Sequence, residues 1–273
     1  MIEIIYAVLL GIIEGITEWL PISSTGHLIL AGEFFKFSYG PEFTNTFNVV
    51  IQLGAILAVV VIFFHKLNPL SPTKSTREKN QTWRLWAKVI VAVIPSAVLG
   101  LLFDDWLELH FFNPVTVATM LVIYGVIMII LERRDTKPQI ENFQQLSYRK
   151  AAMIGFFQCL ALIPGTSRSA ATIIGAVLLG TSRFVATEFS FFLAIPTMLG
   201  ASALKLVKTG FDFSGMEWLV LGTGTLVSFI VSILAIKFLL DYIRKHDFQV
   251  FGYYRIVLGI VILAFFFFSG QLF

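Results

Sequence analysis

Glu14-Gly15-Ile16-Thr17-Glu18-Trp19-Leu20-Pro21-Ile22-Ser23-Ser24-Thr25-Gly26-His27 is the stretch on which the reading of this chain turns. Glu14 and Glu18 stand one helical turn apart in an apolar run, and the only other charge between Ile2 and Leu20 is Glu3. Carboxylates at membrane depth are costly and usually face a bundle interior, a cavity or a pathway. A Pro/Ser/Thr/Gly break then interrupts the helical pattern inside the same apolar stretch. The stretch predicts polar chemistry within a membrane.

The rest of the chain agrees. Of its 273 residues 57% are hydrophobic and 14% charged, with 28 Phe, and the mean hydropathy is +0.83. A soluble domain carries about a quarter charged residues, so the expected class is an all-α polytopic membrane protein forming one integral membrane domain over 1–273. Cys159 is the only cysteine; it excludes an internal disulfide or a multi-cysteine metal site and reads as a small buried hydrophobe. The start, Met1-Ile2-Glu3, has no basic segment of the signal-peptide kind, so the first helix is expected to be retained. There is no P-loop, no Gly-x-Gly-x-x-Gly, no His-Glu-x-x-His and no nucleic-acid signature. The expected partner is the lipid bilayer, not nucleic acid.

Apolar runs of spanning length cover 47–64, 89–103, 115–131, 189–206, 219–240 and 251–268, with 89–103 borrowing flanking residues to reach the roughly 20 needed. Two more stretches are broken: 2–20 halts at Pro21 and restarts over 27–37, and 151–163 halts at Pro164 and restarts over 170–179. Each reads as a re-entrant helix pair, because irregular backbone at that depth survives only under cover of protein or water. Basic residues crowd 66–88, 132–150 and the loop after Leu240, whereas 104–113 holds Asp104, Asp105 and Glu108 without Lys or Arg. By the positive-inside rule the first three loops are cytoplasmic and both termini outside. Trp83, Trp86, Trp106 and Trp218 read as interface anchors, Gln52 as a polar residue able to face a cavity, and Arg183 with Glu188 as a helix-end ion pair.

Gly11-Ile12-Ile13-Glu14 aligns with Gly155-Phe156-Phe157-Gln158, and Pro21-Ile22-Ser23-Ser24 with Pro164-Gly165-Thr166-Ser167. The breaks enter from opposite sides in the topology above. The expected architecture is therefore six transmembrane helices plus two re-entrant helix pairs in an inverted repeat, about 1–131 and 149–273, with the breaks meeting near the midplane.

Glu14 and Glu18 share a helix face and read as a divalent-metal site, a base with a partner, or a proton-sharing pair. Ser23, Ser24 and Thr25 supply hydroxyls that suit either chemistry or N-capping, and Ser24 with His27 is a nucleophile and base in outline. In Pro164-Gly165-Thr166-Ser167-Arg168-Ser169-Ala170-Ala171-Thr172, Arg168 is a cation stranded among small and hydroxylated residues. Such a helix start attracts anions, and the guanidinium fork grips phosphate oxygens; an ion pair of Arg168 with one of the two glutamates is the plainer alternative.

At these two motifs the chain resembles the undecaprenyl pyrophosphate phosphatase family, the bacterial bacitracin-resistance membrane proteins; Phe47-Asn48-Val49-Val50-Ile51-Gln52-Leu53-Gly54 and the length fit as well. The resemblance implies hydrolysis of a polyprenyl diphosphate, the undecaprenyl lipid, to the monophosphate and inorganic phosphate. That reaction recycles the carrier of peptidoglycan synthesis at the outer face of the plasma membrane and confers bacitracin resistance, with a divalent cation, Mg²⁺ or Ca²⁺. On that reading Arg168 and the Ser167–Ser169 segment, with Ser23, Thr25 and Thr172, hold the diphosphate. Glu14 and Glu18 hold the cation or supply a base, Ser24 attacks and His27 shuttles the proton; the residues leave Ser24, His27 or water open as the nucleophile. A homodimer is compatible with so apolar a bundle. The alternative function is a transporter or flippase for an anionic phospholipid or phosphorylated solute, which shares the inverted repeat and broken helices but needs no nucleophile.

Overall fold

The computed structural model describes residues 1–134, 137–210 and 212–270. The side chains of Asp104, Asp105 and Glu108, the acids expected to mark an outer loop, lie outside the described residues. Apart from an isolated bridge between Ile140 and Thr181, the regular elements among the described residues are helices: α1 (Ile2–Thr17), α2 (Ser24–Phe34), α3 (Pro41–Ile62), the single turn α4 (Phe64–Leu67), α5 (Thr76–Phe111), α6 (Pro114–Glu132), α7 (Tyr148–Cys159) with a 3₁₀ turn at Leu160–Leu162, α8 (Arg168–Leu178), α9 (Arg183–Thr209), α10 (Gly215–Ile243) and α11 (Gln249–Phe268).

Among the described residues six helices are long and apolar enough to cross a membrane: Pro41–Ile62, Thr76–Phe103, Pro114–Glu132, Arg183–Lys208, Gly215–Ile243 and Gln249–Phe268. All six expected spans are there, and the chain is a multi-pass membrane protein. Leu57, Val61, Ile90, Ile94, Leu102, Ile123, Ile130, Leu226, Leu234 and Phe238 stand exposed along them, as they must where the surrounding solvent is lipid tails.

Several boundaries differ from expectation. α5 starts at Thr76, so Arg77, Lys79, Arg84 and Lys88 sit on a helix rather than in a loop, and it continues to Phe111 through the expected outer loop. The helices after the two breaks begin at Ser24 and Arg168, earlier than 27 and 170. In both cases the preceding serine makes this happen. Ser23 and Ser167 hold φ of 72° and 70°, and each hydroxyl accepts from the amide three residues on, of Gly26 and of Ala170. The serine is thus an N-cap in left-handed backbone. The cap equates Ser23 with Ser167, one residue out of register with the alignment of the two prolines.

Small residues let the helices close on one another, the usual device where apolar burial cannot drive association. α1 lies on α10, α10 on α3, α7 on α5, α6 on α11 and α3 on α9. A Cβ at Gly54 would overlap the Thr225 backbone, and one at Gly155 the Ala92 backbone. Arg183 and Glu188 do not pair with each other: five residues apart, they point to different sides of α9. Arg183 binds Glu132 of α6, and Glu188 binds Lys66 of α4 at 2.5 Å. Trp83, Trp106 and Trp218 are about half exposed, and Trp86 donates its indole N–H to the Leu67 carbonyl at 2.8 Å. Cys159 donates weakly to the Gly155 carbonyl.

Candidate active site

The two breaks meet. Glu14 lies in the last turn of α1 and Glu18 is its C-terminal cap; both are buried. Ser24, the first residue of α2, donates its hydroxyl to Glu18 Oε2 at 2.7 Å. Arg168, the first residue of α8, donates Nη2–H to Glu18 Oε1 at 3.0 Å. One carboxylate therefore binds a hydroxyl from its own break and a guanidinium from the other. The plainer alternative for Arg168, an ion pair with one of the glutamates, is present, and its partner is Glu18.

The rest of the guanidinium is tethered too. Nη1 donates to the Ser190 carbonyl at 2.7 Å and reaches Ser190 Oγ at 3.3 Å, and the Trp19 ring lies 5.6 Å from its carbon. Trp19 is fully buried and meets Phe191 edge-on. Thr172 Oγ1 sits 2.8 Å from the Arg168 carbonyl and 2.7 Å from Ser190 Oγ. Ser169 donates to the Leu20 carbonyl at 3.3 Å and lies 3.0 Å from Ser167 Oγ, tying the start of α8 to the first break. Thr25 is half-buried on the first turn of α2. Gln52 is half-buried on α3, outside this cluster.

Two placements depart from the simple outline of a serine beside its histidine. His27 makes no hydrogen bond to Ser24; its ring nitrogens meet the Ser23 carbonyl oxygen and the Tyr254 hydroxyl, each at 2.7 Å. Both Glu14 carboxylate oxygens are buried without a hydrogen-bond partner. In a native structure such a group calls for an explanation, such as a catalytic role or an ion. Among the described residues no three His, Cys, Asp or Glu side chains gather into a metal cluster. Two carboxylates with hydroxyls around them are all oxygen donors, the set that suits Mg²⁺ or Ca²⁺ when substrate phosphate and water complete the shell.

Sequence reasoning missed Arg255 of α11. It is fully buried and donates to the carbonyls of Pro21, Gly165 and Thr166 at 3.2, 3.0 and 2.9 Å, so a single side chain clasps both breaks. Gly165 permits this convergence. It adopts φ of +89°, and any Cβ there would overlap the Val117 backbone. Gln158, aligned with Glu14, is buried and donates to Ser96 Oγ at 2.6 Å and Thr197 Oγ1 at 3.2 Å, so it is bound up in helix packing.

Comparison with known proteins bears on what this cluster is. Residues 7–261 match the family described as bacitracin resistance protein BacA. The chain is 64% identical over 267 residues to undecaprenyl-diphosphatase 1 of Clostridioides difficile, an alignment covering 98% of this chain and 97% of that protein. It is 58% identical over 271 residues to the undecaprenyl-diphosphatase of Lactiplantibacillus plantarum, covering 97% and 98%. The undecaprenyl-diphosphatase of Enterococcus faecalis is 58% identical over 268 residues, covering 96% and 97%. Glutamate, serine and arginine converging from two broken helices thus occur in a chain matched along nearly its whole length: it belongs to the BacA family of bacitracin resistance proteins.

Proposed function

We propose that this protein is an undecaprenyl-diphosphate phosphatase, splitting the lipid diphosphate into undecaprenyl phosphate and inorganic phosphate. The observation that carries the reading is Glu18 held between Ser24 and Arg168. Opening of a phosphoanhydride depends on positioning and on stabilising charge on the transferred phosphoryl group. Ser24 Oγ attacks the terminal phosphorus, its proton passes to Glu18 Oε2, and the bond to the bridging oxygen breaks, releasing undecaprenyl phosphate. Arg168 stays anchored on Ser190 through Nη1 and turns Nη2 from Glu18 to the phosphoryl oxygens. Water then attacks the phosphoserine, giving up its proton to the Tyr254 hydroxyl as that hydroxyl passes its own to His27 Nε2, and Ser24 leaves with the proton held by Glu18. Ser167, Ser169, Thr172, Ser23 and Thr25 shape the cradle. Ser23 and Ser167, one on each break, do so as caps rather than as ligands.

Glu14 and Glu18 are the residues that would hold a divalent cation, Mg²⁺ or Ca²⁺. Such an ion supplies charge neutralisation of the diphosphate. The orphan carboxylate of Glu14 supports this assignment.

The two breaks are read as re-entrant pairs of an inverted repeat, about 1–131 and 149–273. Exchange of partners supports it: α1 lies on α10 as α7 lies on α5, and α3 on α10 as α9 on α5, while α6 with α11 and α3 with α9 pair across the axis. The loop charges favour a site open to the outer face of the bacterial plasma membrane, with the lipid tail left in the bilayer. A homodimer is the oligomeric state put forward for so apolar a surface.

The deciding assay is phosphate release from undecaprenyl and farnesyl diphosphate by purified protein, with and without EDTA, for wild type, Ser24→Ala and Arg168→Ala. Release that needs the metal and is lost in both variants is the expected result. Folded wild type that releases no phosphate would sink the enzyme reading.

A further inference from the structure

His27 is held on two sides. The Ser23 carbonyl oxygen, 2.7 Å from Nδ1, can only accept, so Nδ1 carries a proton and donates it. In the neutral ring Nε2 is then the acceptor, and the Tyr254 hydroxyl 2.7 Å away is its donor. The two rings lie nearly parallel, 8° apart with centroids at 5.6 Å, so the plane of the imidazole is set as well as its direction.

Tyr254 is the chain neighbour of Arg255, whose guanidinium clasps the carbonyls of both breaks. One turn of α11 therefore fixes the spacing of the breaks and the aim of His27 together. A tyrosine near the end of a span is most simply an interface anchor, its hydroxyl turned to lipid headgroups. Here the side chain is 45% exposed, yet its hydroxyl is spent on a ring nitrogen of the site.

We propose that Tyr254 is a positioning residue for His27, selecting the Nδ1–H tautomer and directing the Nε2 lone pair, so that the imidazole enters the reaction neutral with one defined basic nitrogen. The role deepens the phosphatase reading and rests on it. A phenol can donate to a bare nitrogen and accept from a protonated one, so the proton reaches Nε2 along this hydrogen bond, the phenol oxygen taking one from water as it gives its own to the ring, and Tyr254 remains a partner before and after.

The test uses full-length protein labelled with ¹⁵N-histidine, compared as wild type and Tyr254→Phe, with His27→Gln to assign the His27 signals. The phenylalanine keeps the stacked ring and removes only the hydroxyl. Expected are a single Nδ1–H tautomer for His27 in wild type and a shifted Nε2 signal in Tyr254→Phe. With both farnesyl and undecaprenyl diphosphate kcat should fall about 10- to 100-fold, the scale set by outer hydrogen-bond partners of metal-bound histidines. KM should stay within about twofold, since an orienting bond acts in the transition state rather than in binding. Unchanged His27 signals and unchanged kcat would overturn the proposal. So would a defect seen with undecaprenyl diphosphate alone, which would make Tyr254 a contact for the lipid tail. Wild type that releases no phosphate while Tyr254→Phe still shifts the His27 signals would overturn the phosphatase reading and leave the Tyr254–His27 coupling standing.

Discussion

Glu18 and Arg168 are 150 residues apart in the chain and 3.0 Å apart in space, each side chain about nine-tenths buried. Their ion pair joins the two broken segments, so the start of α8 is held against the end of α1 by one buried contact.

Arg168→Lys separates charge from geometry. An ammonium carries its three donors on one nitrogen without a planar fork, so it does not reproduce the spacing at which Nη1 holds Ser190 and Nη2 holds Glu18. The expected outcome is a loss of about 100-fold or more in kcat/KM, the scale for deleting one preorganised donor. Arg168→Ala should in addition lower the melting temperature, because a buried carboxylate stripped of its partner costs about 3–5 kcal/mol. Phosphate release and thermal unfolding in detergent, run side by side, check both.

Glu14→Gln should pull stability and activity in opposite directions. Neither Glu14 carboxylate oxygen has a hydrogen-bond partner to lose, and burying an amide costs less than burying a charge. The variant is expected to melt at a higher temperature and to lose both activity and its response to added Mg²⁺ or Ca²⁺. A lower melting temperature would show that the carboxylate is bonded in the free protein.

Ser23 combines a cap with left-handed backbone, φ 72°. Ser23→Ala forfeits the bond from the Gly26 amide, worth about 1 kcal/mol, and keeps the strain. Ser23→Gly forfeits the same bond but relieves a conformation that costs a non-glycine residue of order 1–3 kcal/mol. Alanine should therefore be the less stable variant, by melting temperature, although it is the smaller change in backbone freedom.

Gly54 and Gly222 should respond oppositely to alanine. A methyl at Gly54 would collide with the Thr225 backbone, which has no rotamer to yield, whereas nothing lies within 4 Å of one at Gly222. Gly54→Ala is expected to destabilise by about 1–3 kcal/mol as an overpacked contact. Gly222→Ala should be neutral or gain up to about 1 kcal/mol of helix propensity. Equal melting temperatures would mean that α3 and α10 do not pack closely at this point.

The amino-acid sequence by itself determined the six spans and the identity of the ionisable groups at the breaks. Hydropathy is a sum over neighbours in the chain, so a run over 219–240 reads as a span without knowledge of its contacts. A charge inside an apolar run is conspicuous for the same reason, which is why Glu14, Glu18 and Arg168 were legible. Arg255 and Tyr254 were not: polar residues near the start of a span look like ordinary interface anchors, and only their contacts with Pro21, Gly165, Thr166 and His27 distinguish them. Ser190 was hidden likewise, since a serine on a helix shows no sign that its carbonyl accepts from Arg168. Tertiary structure alone decided which carboxylate Arg168 takes, that Ser24 faces Glu18 instead of His27, and that Glu14 is left without a partner. Each of those outcomes is a distance of a few ångströms between segments far apart in the chain, fixed by how closely the glycine-lined helices approach and by the one-residue register of a left-handed serine.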